Sequence, residues 1–220
     1  MLDAAELPPT FGVAPDTITA VIAGGTAALT RAIEGAEDDA NAGREALARA
    51  GAGDVAIGIS ASGRAPFVIA ALRAAREAGA LTIAIVNAPG APLLAEALHS
   101  IVLETGAEPL AGSTRLVAGT AQKIALNTIS TGAMIRLGKT YRNRMVDLVV
   151  TNAKLRARAE RLVCELGATS AEVAASALEA AGGDVKVAIV MLRHGCTAGS
   201  AHDWLRAAHG RLDAVIDRGG

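Results

Sequence analysis

Short apolar runs alternate with longer alanine-rich segments between residues 17 and 138, and this alternation constrains the fold more than any other feature of the chain. Such an order is typical of βαβ units built around a parallel sheet. The sequence therefore predicts an α/β protein with one parallel sheet. The predicted strands cover residues 17–24, 54–60, 81–87 and 100–105, and the predicted helices cover residues 26–50 with a break near Gly35, 65–79, 91–98 and 118–138.

The pattern becomes purely helical in the last third of the chain. The segment "TNAKLRARAERLVCELG" has apolar residues at helical spacing. The stretch after it predicts two short helices, the first capped by Thr169 or Ser170 and the second preceded by a turn at residues 182–184. We therefore predict one α/β domain over residues 1–150 and a helical linker and cap over residues 151–220.

The charge distribution excludes several classes of partner. The chain has a formal net charge of −1, and its basic residues are spread along it, so we expect no nucleic acid partner. Its most apolar long window contains Gln122, Lys123 and Arg136, which argues against a membrane span. The N-terminus shows no export signal, and Cys164 and Cys196 lack the spacing of a metal site or a disulfide framework. These features predict a cytoplasmic protein.

The phrase "ISASGRAPF" follows a predicted strand and opens a predicted helix. The positive end of a helix dipole at such a junction favours an anion, and phosphate in particular. Ser60 and Ser62 would add hydroxyl donors there, and Gly63 would allow the backbone a close approach. An ordinary βα turn built from small residues explains the same letters, so two interpretations stand side by side.

A second polar stretch, "GSTRLVAGTAQK", precedes the long predicted helix. Hydroxyl groups at a helix start, such as those of Ser113 and Thr114, suit a sugar or a phosphate. Ser and Thr are also ordinary helix caps. Ligand binding and capping both remain open for this stretch.

Acidic residues form one cluster and one isolated position. The segment "AIEGAEDDANAG" contains Glu34, Glu37, Asp38 and Asp39, and a solvated acidic surface is the usual explanation for such a run. Glu6 stands ahead of a Pro-Pro pair, which predicts a loop. Loops at strand ends often carry catalytic groups, so Glu6 is a candidate.

Two other features of the sequence suggest a nucleotide site and a zinc site, and we predict neither. The segment "GAMIRLGKT" resembles a phosphate-binding loop of nucleotide-binding proteins, but five residues separate Gly132 from Gly138 where that motif has four. His194, His202 and His209 lack the spacing of zinc ligands, and we predict no metal site.

Several strings together resemble the N-acetylmuramic acid 6-phosphate etherase family, whose relatives include the glucokinase regulatory protein. They are "DAAELPPTFG", "IAGG", "EGAEDD", "GISASGR", "GSTRLVAGTAQK", "STGAMIRLGK" and "MVDLVVTNAKL", in this order. The resemblance covers residues 2–166, and the helical tail is similar to the family's ubiquitin-associated-like (UBA-like) cap. It implies a Rossmann-like sugar isomerase (SIS) domain with a parallel sheet in three αβα layers.

The resemblance implies a cytoplasmic homodimeric enzyme of cell-wall recycling that uses no metal or organic cofactor. Such an enzyme cleaves the lactyl ether of N-acetylmuramic acid 6-phosphate, giving N-acetylglucosamine 6-phosphate and D-lactate. A base removes the C2 proton, an acid protonates the departing oxygen, and water then adds. Matching the family's motifs, Glu6 aligns with the proton donor and Glu37 with the second catalytic carboxylate, which we assign as the base. The implied substrate-binding residues are Ser60, Ser62, Gly63, Arg64, Ser113 and Thr114.

The chain departs from the family's pattern at three places. The family has a strand and a Gly- and Ser-rich loop upstream of "LDAAE", whereas this chain begins at Met1. We therefore expect an α/β domain that lacks its first strand. The sequence would then be either a truncated reading of a longer gene or a fragment that another chain completes. Ala65 stands where the family usually has Thr, and Val117 stands where it usually has Lys. One lost hydrogen bond to a phosphate costs about 1.5 to 3 kcal/mol. These departures favour the alternative of a non-catalytic sugar-phosphate-binding protein or an inactive fragment.

Overall fold

The computed structural model describes residues 1–150 and 152–217. Its strands are β1 (Val55–Ile59), β2 (Leu81–Val86), β3 (His99–Val102), β4 (Thr140–Tyr141) and β5 (Arg144–Met145). Its α-helices are α1 (Leu2–Phe11), α2 (Ala40–Ala46), α3 (Pro66–Glu77), α4 (Val117–Arg136), α5 (Ala153–Gly167), α6 (Ala171–Ala180), α7 (Val185–His194), α8 (Ala198–Ala207) and α9 (Asp213–Ile216). The predicted α/β class is confirmed.

The chain forms two compact units. The sheet unit comprises residues 20–127, and the helical unit comprises residues 1–19 together with 128–220. The division falls inside α4, so these units do not coincide with the predicted domains. The boundary at residue 150 stays a prediction.

A three-stranded parallel sheet forms the centre of the sheet unit. Its strand order is β1-β2-β3, with Ile57 opposite Ile83 and Ile83 opposite His99. The three strands lie where the sequence predicts them, and β3 ends at Val102. Because parallel strands end at the same edge, the segments after β1, β2 and β3 share the carboxyl edge of this sheet.

Helix α3 covers the sheet with a mostly alanine and leucine face. Pro66 occupies its first position, where the missing N–H has no intrahelical partner to lose. The buried residues of α3 are Phe67, Ala70, Ala71, Leu72 and Ala75. Leu72 and Ala75 pack in one core cluster with Ala84 and Val86 of β2. This packing holds α3 on the sheet, and its start lies at the carboxyl edge because α3 follows the loop after β1.

Two predictions for the segment before β1 are wrong. Residues 17–24 form no strand, and residues 26–50 form a 3-10 helix at Gly25–Leu29, another at Ala36–Asp38, and α2. A strand needs a neighbour for its backbone groups, and the described sheet begins at β1. The break predicted near Gly35 is confirmed, because Gly35 has a left-handed φ of 70° that a continuous right-handed helix does not contain. Gly24 and Gly25, at and just after the end of the predicted strand, have φ values of 81° and 67°, which lie outside strand geometry.

The helix predicted at residues 91–98 is shorter than expected. The structure has a 3-10 helix there, Pro92–Glu96, which buries Leu93 and Glu96. Arg73 donates to Glu96 Oε1 through Nε (3.1 Å) and Nη2 (2.6 Å). Arg76 Nη2 lies 2.9 Å from Glu96 Oε2, close enough for an ion pair although the contact does not qualify as a hydrogen bond. The buried carboxylate therefore ties this turn to α3.

We expect the ion pair between Glu96 and Arg73 to make the free energy of unfolding depend on pH. The hydrogen bond from Arg73 lowers the pKa of the Glu96 carboxyl, although burial opposes the shift. A lowered folded-state pKa means that the stabilisation is complete above the unfolded-state pKa and is lost as pH falls through the folded-state pKa. Between about pH 5 and pH 3, the free energy of unfolding should fall less in Glu96→Gln than in the wild type, by on the order of 1 kcal/mol. Urea titrations at both pH values measure this difference, and equal losses would contradict the prediction.

Helix α7 is the centre of the helical unit. Its residues Val185–Val190 are all buried, and it packs against α5, α6, α8 and α9. Asp184 caps it by accepting the Val187 N–H (3.0 Å), and Ser170 caps α6 by accepting the Val173 N–H (3.4 Å). The predicted turn and the Ser170 cap are thus confirmed. No helix in the described part of the chain combines the length and apolar character needed to cross a bilayer.

A cavity of about 960 Å³ opens within the helical unit beside a cluster of three charges. Asp147 contacts Lys139 Nζ (2.9 Å) and Lys186 Nζ (2.6 Å), and Lys186 also donates to the Gly210 carbonyl (2.9 Å). Lys186 is buried on α7, so its ammonium group requires such partners. The cluster therefore fastens the segment after β5 to α7 and to the Gly210 turn.

Candidate active site

The loop Ser60–Arg64 follows β1 directly and leads into α3. The Gly63 N–H lies within hydrogen-bond distance of both the Ser60 carbonyl (3.0 Å) and Ser60 Oγ (3.1 Å). Ser62 Oγ accepts the Arg64 N–H (3.3 Å). A hydroxyl that accepts a backbone N–H keeps its own hydrogen for donation. Both serines can therefore hold the loop together and donate to an anion at the same time.

Gly63 is required by the shape of this loop. Its φ is +62°, and a Cβ there would lie 2.4 Å from Ala91 Cβ and 2.9 Å from Val86 Cγ1. The Gly63 carbonyl also accepts the Leu93 N–H (3.0 Å). The loop is thus packed against the segment after β2, and only glycine fits at this position without moving that segment.

The N-terminus of α3 is open to an anion. Its N-cap is Ala65, no side chain in residues 1–150 or 152–217 caps it, and its first turn contains no acidic residue. The positive end of the dipole of this 12-residue helix lies there. Pro66 has no N–H, and the Val68 and Ile69 N–H groups donate to the Ala65 carbonyl (3.1 Å each), so the helix dipole rather than a set of free N–H groups favours an anion. Arg64, which is exposed and immediately precedes the cap, adds a positive charge. The local geometry therefore suits a phosphate.

The N-terminus of α4 has a different environment, which the sequence analysis missed. The Glu108 carboxylate accepts the N–H groups of Val117 and Ala118, each at 2.9 Å. A carboxylate at this place already balances the positive end of the helix. An anionic ligand is therefore favoured at α3 over α4.

Ser113 and Thr114 lie just before α4, between Glu108 and the helix. Ser113 is half-buried and Thr114 is exposed, and the Thr114 carbonyl accepts the Gly119 N–H (2.8 Å). Because Glu108 holds the first N–H groups of α4, capping no longer explains these two hydroxyls. Their role in substrate binding stays a prediction.

Glu6 lies on α1 in the helical unit, so its predicted loop placement is wrong. Leu7 and Phe11, four residues apart, are both buried in a cluster with Met134, and this burial stabilises the helix in spite of Pro8 and Pro9. The Glu6 side chain is exposed to solvent.

Glu37 lies in the sheet unit, on the 3-10 helix Ala36–Asp38, and is also exposed. The neighbouring Asp39 has a structural role, because its Oδ1 accepts the N–H groups of Asn41 (3.0 Å) and Ala42 (2.9 Å) at the start of α2. The acidic segment therefore divides into a helix cap and a solvent-facing carboxylate. Glu6 and Glu37 belong to different units, and their joint action on one substrate stays a prediction.

The sheet unit defines the class of this protein. A family model described as the glucokinase regulatory protein N-terminal SIS domain matches residues 6–76. This range includes β1, the Ser60–Arg64 loop and the first eleven residues of α3. The chain is thus an α/β protein with a SIS-type domain.

Whole-chain relatives then identify the family. The chain is 49% identical to the N-acetylmuramic acid 6-phosphate etherase of Deinococcus radiodurans over 221 residues, covering 100% of this chain and 72% of the relative. It is 49% identical to that of Geobacillus thermodenitrificans (99% and 74% covered) and 48% identical to that of Yersinia pestis (98% and 74%). The chain belongs to the N-acetylmuramic acid 6-phosphate etherase family, which confirms the resemblance.

Proposed function

We propose that this protein cleaves the lactyl ether of N-acetylmuramic acid 6-phosphate, releasing D-lactate and N-acetylglucosamine 6-phosphate in the recycling of cell-wall amino sugars. The observation that carries the proposal is the open α3 N-terminus behind a hydroxyl-bearing loop, in a chain of this family. The substrate is a phosphosugar, and this end of α3 offers groups that suit a phosphate monoester: the positive end of a helix dipole, two hydroxyls and an adjacent arginine.

The phosphate is expected to lie at α3, with Ser60 and Ser62 donating to its oxygens and Arg64 offering its charge. Gly63 is expected to contribute through the shape of the loop, which packs against Ala91 and Val86 only because this residue has no Cβ. Ser113 and Thr114 would contact the same substrate from the start of α4. Ala65 and Val117 remove two polar groups that the family usually has, so we expect weaker phosphate binding than in a relative with Thr and Lys at these positions.

The reaction assigned to the two carboxylates is an elimination followed by hydration. Glu37 removes the proton from C2, the bond between C3 and the lactyl oxygen breaks, and Glu6 protonates that oxygen as it leaves. Water then adds at C3 of the unsaturated sugar and C2 regains a proton, so the net reaction consumes one water. The steps transfer protons, release the lactyl oxygen with the lactate and add water, and carboxylates suitably placed around a sugar can supply and remove the protons.

We also propose finer features that accompany this function. The chain works in the cytoplasm as a homodimer, the sheet unit belongs to a three-layer αβα SIS domain, and residues 151–220 form a linker and a UBA-like cap. The family resemblance supports the dimer and the location. The short helices α6 and α8, which pack on the buried α7, support the cap.

Lactate release tests the proposal directly. The purified 220-residue chain is incubated with N-acetylmuramic acid 6-phosphate, and D-lactate is measured with a lactate dehydrogenase. The unphosphorylated sugar serves as the matched control, because the α3 site should discriminate against it. Turnover of the phosphorylated sugar alone supports the proposal, and no lactate from either sugar would overturn it.

A second candidate is a sugar-phosphate-binding protein without catalysis. The match of residues 6–76 to a domain of a regulatory protein favours it, as do Ala65 and Val117. Such a protein would bind N-acetylglucosamine 6-phosphate and release no lactate. Measuring binding and turnover on the same preparation separates the two candidates.

A further inference from the structure

Asn87 makes hydrogen bonds to several segments at the carboxyl edge of the sheet. It follows the last residue of β2, and its backbone N–H donates to the Ala61 carbonyl (2.9 Å) in the Ser60–Arg64 loop. Its side-chain Nδ2 donates to the Leu103 carbonyl (3.0 Å) and to Thr105 Oγ1 (3.3 Å), just after β3. One residue therefore connects the segments that follow all three strands.

The same side chain also reaches α4. Gln122 Nε2 donates to Asn87 Oδ1 (2.8 Å), across 35 residues of sequence. Gln122 lies in the second turn of α4, and the first turn is held by Glu108. The start of α4, with Ser113 and Thr114 just before it, is thus positioned relative to the Ser60–Arg64 loop through a single asparagine.

The amide group suits this task because it has a donor end and an acceptor end in one plane. Asn87 uses both ends, with Nδ2 directed toward the β3 exit and Oδ1 toward α4. Asp would lose the donor and Leu would lose both groups. Asn87 and Gln122 are both half-buried, so water replaces the lost bonds poorly.

We propose that Asn87 and Gln122 are positioning residues of the phosphate site, because their bond fixes the separation between the Ser60–Arg64 loop and the start of α4. This inference rests on the proposed function for its substrate. Neither residue is assigned a contact with the substrate. Their effect comes from holding the hydroxyl groups of two segments in place before the phosphosugar binds.

If Asn87 and Gln122 had a purely structural role, substituting them would lower stability without a specific effect on substrate binding. Thr82→Val provides the matched control, since Thr82 is a fully buried residue of β2 whose Oγ1 accepts the Leu98 N–H (3.0 Å). That bond lies near the start of β2, away from the carboxyl edge. The substitution removes a polar bond from the same sheet without touching the Ser60–Arg64 loop or α4.

The test compares Gln122→Leu, Asn87→Asp and Thr82→Val. We expect Gln122→Leu to raise KM for N-acetylmuramic acid 6-phosphate about tenfold and to weaken the calorimetric Kd of N-acetylglucosamine 6-phosphate by about the same factor, with kcat changed less than about threefold. Asn87→Asp should shift both constants in the same direction. Thr82→Val should lower Tm and leave KM and Kd unchanged.

The inference is overturned if Gln122→Leu keeps the wild-type KM and Kd. It is also overturned if Thr82→Val has a Tm similar to that of Gln122→Leu and shifts both constants by the same factor. If Gln122→Leu does not fold, Asn87→Asp decides on the same two constants. If the wild type releases no lactate, the proposed function fails by itself. The Kd comparison then still decides whether these residues position a phosphosugar site.

Discussion

Glu6→Gln and Glu37→Gln are each expected to lower kcat for lactate release by at least about a thousandfold. Glutamine keeps the shape of the side chain and cannot donate or accept the proton that the elimination requires. Both residues are exposed, so the free energy of unfolding should change by less than about 0.5 kcal/mol. Lactate release at saturating substrate measures the loss, and thermal unfolding checks the fold.

Glu34→Gln is the matched control for Glu37, because Glu34 is an exposed carboxylate in the same acidic segment. It should retain wild-type turnover. All variants should still bind N-acetylglucosamine 6-phosphate, since none of these residues belongs to the phosphate site proposed at α3. Near-wild-type kcat in Glu6→Gln or Glu37→Gln would remove that residue from the chemistry. Equal background in all proteins, the wild type included, would favour the binding candidate.

Gly63→Ala is expected to weaken phosphosugar binding by at least about tenfold and to lower the free energy of unfolding by about 2 kcal/mol or more. Two costs combine here. Alanine is strained at a φ of +62°, and its Cβ would lie 2.4 Å from Ala91 Cβ, so the Ser60–Arg64 loop or the segment after β2 must move. Ser60 and Ser62 move with the loop. Calorimetric binding of N-acetylglucosamine 6-phosphate and urea unfolding measure the two effects.

Gly182→Ala separates backbone strain from the steric clash. Gly182 has a φ of +63°, and a Cβ there would meet no atom within 4 Å. It should lose only about 1 kcal/mol of stability, with binding unchanged. A Gly63→Ala protein that bound the phosphosugar as tightly as Gly182→Ala would show that the loop shape does not determine affinity.

The central elements of the fold were predictable because their signals are local. β1, β2 and α3 follow from short apolar runs and an Ala-rich helical pattern. The segment before β1 was not predictable in this way. Its apolar residues suggest a strand and a long helix broken near Gly35. The break is present, but residues 26–50 contain only short helices, and the described sheet offers residues 17–24 no neighbouring strand.

The same distinction between local and long-range signals applies to the residues of the site. The Ser60–Arg64 loop was predictable because small residues stand between a strand and a helix. Glu108 was missed because it caps α4 from nine residues upstream of Val117, with no local motif. Asn87 and Gln122 were missed because their bond spans 35 residues. The catalytic roles of Glu6 and Glu37 came from the family resemblance, because nothing in the residues alone assigns either carboxylate to a reaction step.

Isotopes taken up from solvent test the elimination account most directly: ¹⁸O from H2¹⁸O shows which C–O bond breaks, and deuterium from D2O at C2 of the sugar shows elimination as opposed to direct displacement at C3. Cleavage between C3 and the lactyl oxygen leaves that oxygen with the lactate, and the hydration step places solvent oxygen on C3 of the sugar. We therefore expect ¹⁸O at C3 of N-acetylglucosamine 6-phosphate, located by ¹³C NMR, and unlabelled D-lactate by mass spectrometry. Labelled lactate with an unlabelled C3 oxygen would mean cleavage on the lactyl side, and it would contradict the roles assigned to Glu6 and Glu37.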